Sequence, residues 1–302
     1  MKMAGFFGFF DYSKPGKGVS KDDVQKEGLA LYFDILGRRI WKFITLNLIY
    51  LLFSIPSIAV IWFISSYGVA WLASIAEMDI IKVSSELFLI GALLSAILVS
   101  VYGTGAASAG MAYVIRNFVR DTHSWVWSDF KDNFKSNFFQ ATAVFIIDMI
   151  VIILCFVSLL FYRIQMTGLM SYVLSSVITV VFALFTMMHL YIYPIMVTFK
   201  LKTKDLYKNA LLNVLARLPW NILVTAVSAV LIYGVVYFAA SSIIGIAFLV
   251  LVFIPILVYT QMFMTNPVIE KMLLKPALEN SPKEEVSEDA VFNDEVNKKE
   301  QE

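Results

Sequence analysis

The chain has 302 residues, 59% of them apolar and 16% charged, with a mean hydropathy of +0.76. A soluble domain carries about 45–50% apolar and about 25% charged residues, so a soluble enzyme is excluded. A net charge of +1 offers no global field for nucleic acid, and a single cysteine, Cys155, excludes both a disulfide framework and a cysteine-ligated cluster.

Residues 1–39 read as an N-terminal segment with an interfacial helix. Met1–Phe10 holds one lysine and a short aromatic patch that Asp11 interrupts, so no signal peptide is expected. The run Lys14-Pro15-Gly16-Lys17-Gly18 reads as a turn. A phosphate-binding loop needs a preceding strand, none is legible, and no nucleotide or other cofactor site is expected. Leu29, Tyr32, Phe33 and Leu36 share one face of a short helical pattern.

Residues 40–270 read as a transmembrane domain. Lys, Arg, Asp and Glu are absent from Phe43–Ala76, Leu87–Ile115 and Ile164–Phe199, and only Asp148 interrupts Phe138–Tyr162. A spanning helix needs about 20 residues to cross about 30 Å of hydrocarbon. Leu218–Ile269 is uncharged for 52 residues, a helix of roughly 78 Å, so it must turn back, around Ala239–Gly245. The expectation is an all-α integral membrane protein with six spans, at 43–66, 88–115, 139–162, 170–198, 218–239 and 244–266.

Of the 24 basic residues, 22 fall on one side of this arrangement, leaving Lys82 and Arg163 opposite. Basic excess marks the cytoplasmic face, which puts both termini inside a bacterial cell membrane. On that side, Trp127, Phe130, Phe134 and Phe138 recur at helical spacing with Asp129, Lys131, Asp132 and Lys135 off the stripe. This reads as an amphipathic helix near the lipid headgroups, capped by Ser124 or Ser128. A comparable helix in the fourth-to-fifth loop carries Leu206, Ala210, Leu211, Val214 and Leu215 on one face. Asp129, Phe130, Asn133 and Asn137 align with Asp205, Leu206, Asn209 and Asn213 at an offset of 76. A duplicated hairpin would produce that match, and so would two helices that each need an acid near the N-terminus. Residues 276–302 are charged, lack an apolar period and are expected to be a disordered tail.

Asp148 and His189 are the ionisable groups inside spans. Each lies ten or eleven residues from the basic side, about 15 Å deep, on consecutive antiparallel helices. They are expected to meet, either as a proton-linked or substrate-orienting pair or as an interhelical hydrogen bond. Asn47 and Gln261 suit the second role. Pro56, Pro194 and Pro255 are expected to kink spans. Gly103, Ala107 and Gly110, with Gly105, Ala106, Ser108 and Ala109, form a small-residue face for close helix packing. Two histidines in different layers make no metal site, and no nucleophile elbow accompanies His189.

The N-terminal GFFDYSKPGKGV, then GRRIWKFITLNLIYLLFSIP and WSDFKDNFKSNF, together resemble the YesL-type family of bacterial integral membrane proteins, a domain of unknown function. The resemblance runs from Gly5 to about Lys275. It implies a role beside carbohydrate-uptake ABC transporters, solute-binding proteins and glycoside hydrolases, and transfers no catalytic residue. Two functions therefore compete, with an intramembrane enzyme disfavoured. One is a non-catalytic accessory protein for oligosaccharide import, docking on transporter subunits or an associated sensor through Trp125, Trp127, Phe130 and Phe134. The other is a permease that itself carries a small polar solute, although neither loop has the EAA-to-Gly signature of sugar permeases.

Overall fold

The structure is a computed structural model that describes residues 27–75 and 84–274. The Lys14–Gly18 turn, the 276–302 tail and the 76–83 segment lie outside the described residues. The chain divides into two units, Met1–Arg38 and Arg39–Glu302. In the first, Arg38 Nε donates to Asp34 at 2.7 Å and Tyr32 stands edge-on to Phe33.

Helix α1 runs unbroken over Gly28–Ile75. The expected interfacial helix and first span are thus one element, because Gly37 alone is too weak a breaker between Leu36 and Phe43. At about 1.5 Å per residue this helix is far longer than a bilayer is thick. Pro56 lies within it.

The second span departs most from expectation. It is a broken pair, α2 (Ser84–Tyr102) and α3 (Ala106–Val119), bent by 54° at Gly103-Thr104-Gly105. Gly103 and Gly105 have φ near +75°, a region that glycine alone enters without strain. Gly103 therefore belongs to the break, and a Cβ there would also meet the Tyr193 ring at 3.3 Å. Helix α4 (Val126–Ser136) leads into the span α5 (Phe138–Gln165). The span α6 (Gly168–Met196), the short α7 (Thr203–Ala216) and the span α8 (Leu218–Ser241) repeat that order.

The long uncharged segment turns back at Ser242, which is extended (φ −154°) and caps α9 (Ile243–Phe248) by accepting from the Ile244 amide at 3.1 Å. The last span continues through a π-helical turn, Leu249–Phe253, into α10 (Ile254–Ile269). In a π register the Val250 carbonyl looks to residue 255, which is a proline without an N–H. Asn47 on α1 supplies the missing donor, Nδ2 to Val250 O at 2.7 Å. A Cβ at Gly245 would run into the Phe238 carbonyl across the α8–α9 turn. Gly245→Ala is expected to cost at least about 2 kcal/mol, read as a lower unfolding temperature in detergent.

Among the described residues, five helices are long and apolar enough to cross a membrane, or six if the bent pair is counted as one span. Trp41, Leu52, Phe63, Leu169, Val230 and Tyr233 are among many large apolar side chains left exposed on them, the surface of a protein solvated by lipid.

The core lies toward the basic ends of the spans. Leu206, Ala210 and Val214 of α7 are fully buried against Tyr191, Ile192 and Ile195 of α6. Phe130 of α4 is also 0% exposed. The two short helices are therefore keyed into the bundle, α7 through Leu206, Ala210 and Val214 and α4 through Phe130, while Trp127 and Phe138 of the expected α4 stripe stay exposed. Leu211 and Leu215 fall outside the buried stripe and are exposed.

Candidate functional site

Asp148 is carried by α5 and is 0% exposed; His189, on α6, is 7% exposed. His189 Nε2 lies 2.9 Å from Asp148 Oδ1, and Nδ1 lies 3.1 Å from the Phe185 carbonyl one turn back. A carbonyl only accepts, so Nδ1 carries a hydrogen. One further proton then sits between Nε2 and Oδ1. Whether drawn as imidazolium and carboxylate or as imidazole and carboxylic acid, the pair is neutral overall, which makes burial in hydrocarbon tolerable.

Tyr207 completes the cluster from α7, donating to Asp148 Oδ1 at 3.3 Å. Burial first, then the nearby Asp148 charge and its hydrogen bond, raise the Tyr207 phenol well above its ordinary range, so it stays a donor. Tyr102 stands edge-on to the imidazole at 4.7 Å and Phe185 at 5.1 Å. Asp148 Oδ2 is buried without a partner.

The helix break builds a second polar cluster beside the first. Ser54 on α1 shares a 2.7 Å hydrogen bond with the Thr104 hydroxyl, Ser57 donates to the Thr104 carbonyl at 3.1 Å, and the Thr104 amide donates to Ser108 at 2.8 Å. Tyr193 donates to the Tyr102 carbonyl at 3.2 Å. These bonds satisfy backbone groups that a continuous helix would have paired. Between the clusters lies a cavity of about 40 Å³ lined by Tyr50, Gly103, Ser108, His189, Tyr193 and Gln261, room for one or two waters. Gln261 itself donates to Ser228 at 3.2 Å.

The four aromatic residues assigned to docking separate. Phe130 and Phe134 close on Phe53 of α1 at 5.6 and 5.1 Å, and a Cβ at Gly110 would meet the Phe130 carbonyl oxygen at 2.8 Å. Fully buried, Phe130 cannot meet a partner, and Phe134 is part of the α4 seat. Gly110 serves this close approach within the chain, and Ala107, one turn earlier, is buried. Trp125 and Trp127 remain 72% and 54% exposed. Neither serine caps α4: Asp129 Oδ2 reaches back to the Trp125 amide (3.0 Å) and the Ser124 hydroxyl (2.6 Å).

The repeat has a structural counterpart. Asn133 and Asn137 donate to the carbonyls four residues earlier at 2.9 and 3.0 Å, and Asn209 and Asn213 do so at 2.8 Å each. Two groups had no sequence signal beyond being polar residues near span ends. Asn221, at the start of α8, accepts from Tyr191 and donates to the Asn213 and Val214 carbonyls, tying off the end of α7. Tyr207 is the other.

This is a multi-pass α-helical membrane protein with a neutral polar cluster inside its spans, ten residues from the start of α5. Residues 43–159, from the first span through most of α5, match the family model described as "Protein of unknown function, DUF624". The match takes in Asp148, the helix break, Trp125 and Trp127; His189 and Tyr207 fall beyond it. No curated protein and no solved structure matches the chain.

Proposed function

We propose that this chain is a non-catalytic accessory protein of a carbohydrate ABC importer, docking on its subunits through a cytoplasmic, basic face. The observation that carries the reading is the mounting of α4. Its buried side fixes it to α1 and α3, while Trp125 and much of Trp127, whose ring flanks Phe53 of α1 at 6.0 Å, stay exposed. Exposed tryptophans beside a polar rim are the surface that protein partners use. The resemblance to YesL-type proteins, with their carbohydrate-uptake neighbours, supplies the class of partner. Trp125→Ala with Trp127→Ala is expected to abolish co-purification of importer subunits in mild detergent, with the protein still folded and inserted. An importer that runs at full rate in a strain lacking the protein, with nothing co-purifying, would sink this reading.

The second reading is a permease for a small polar solute. The helix break beside a polar cavity favours it, since interrupted helices line binding sites in transporters. Binding of a labelled sugar by the purified protein alone would select it.

A further inference from the structure

A second cavity, a cleft of about 540 Å³, opens where α4 meets α5 and α6 runs into α7. Asn133, Asn137 and Gln140 line one side, with Thr198, Lys200 and Lys202 on the other, and no acidic residue lines it. The amides are already committed. Asn133 and Asn137 donate along their own helix, and Gln140 donates to the Leu201 carbonyl at 2.9 Å, holding the two sides together. The two ammonium groups are exposed and form no ion pair among the described residues.

A further cation lies behind this wall. Arg116 donates to the Val197 carbonyl at 2.6 Å and reaches the Thr198 hydroxyl at 3.3 Å. Its Nε is buried without a partner, and among the described residues it pairs with no carboxylate. Two lysines thus line a polar concavity that has no acidic residue in its lining, and a third positive charge, Arg116, is bonded to the back of its wall at Val197 and Thr198. Such a site selects an anion with several acceptor oxygens.

We propose that the cleft binds the phosphate-bearing headgroup of an anionic phospholipid. Position distinguishes a lipid from a soluble phosphate. The cleft lies where one span begins (Phe138) and another ends (Met196), the level at which headgroups stand. Phe138 and Phe139, next to Asn137, are 41% and 87% exposed, an apolar flank for an acyl chain that free phosphate would not need.

The test is native mass spectrometry of the full-length protein in detergent, loaded with phosphatidylglycerol or phosphatidylcholine. Phosphatidylglycerol adducts should dominate, and Lys200→Gln with Lys202→Gln should weaken them roughly tenfold or more. Arginine at both positions should retain them, which separates loss of charge from loss of fold. Lys131→Gln with Lys208→Gln, outside the cleft, should leave binding within about twofold of the parent. Undiminished adducts in the cleft glutamine variant, or equal loss in the control, would overturn the proposal. So would displacement of the lipid by millimolar inorganic phosphate, which would mark a site for the free anion.

Discussion

His189→Leu should destabilise the protein by about 3–5 kcal/mol, because it leaves Asp148 buried with only the Tyr207 hydroxyl facing it. Oδ2 already lacks a partner, so the carboxylate has no reserve of hydrogen bonds. Asp148→Asn should be mild by comparison. The amide nitrogen, standing where Oδ1 stood, places one hydrogen toward Nε2, where the parent holds the shared proton, and its other toward the Tyr207 oxygen, which then accepts instead of donating. Replacing both residues by leucine should recover much of the loss, as apolar substitutes for buried ion pairs often do. Denaturant titration in detergent, arranged as a double-mutant cycle, measures each step. A loss below about 1 kcal/mol for His189→Leu would show that the two groups are not energetically coupled.

Gly110→Val should also destabilise the protein, and with it the seat of α4. Even the first carbon of a side chain would meet the Phe130 carbonyl oxygen at 2.8 Å and the Phe130 ring at 3.0 and 3.1 Å. The backbone oxygen cannot rotate away, so α4 must lift from α3 at a cost of about 2–3 kcal/mol. Gly234, where an added methyl would have nothing within 4 Å of it, is the control. Gly234→Ala should be neutral or stabilising by up to about 1 kcal/mol, since alanine is the better helix former. Because α4 holds Trp125 and Trp127, Gly110→Val should also weaken any docking that uses them. Equal unfolding temperatures for the two glycine variants would contradict the close approach.

Much of the fold could be read from the chain because hydrocarbon is an intolerant solvent. Runs without Lys, Arg, Asp or Glu are costly to place anywhere else, so the spans stand out. The break at Gly103–Gly105 was harder to read, because small residues serve equally as a packing face and as a place where the helix can end. Periodicity identified the apolar stripes of α4 and α7, yet period says nothing about what covers a stripe. Phe53, which receives Phe130 and Phe134, lies more than seventy residues earlier and bears no mark of its role. Asp148 and His189 were legible as a pair because their depths could be counted from the ends of neighbouring helices. Tyr207 was not, since its tip crosses from a short loop helix and no spacing rule connects it to residue 148.

The single proton held between Asp148 and His189 has an electrical consequence. A full elementary charge carried across the membrane exchanges about 2.3 kcal/mol with a 100 mV potential. Transfer between two heavy atoms 2.9 Å apart moves the proton by less than about 1 Å in a core about 30 Å thick, roughly 0.1 kcal/mol. That is well below thermal energy, so voltage cannot choose between the two protonation isomers. Only a change that opens the cluster to bulk water, exchanging its proton with one side, would give this pair a gating charge.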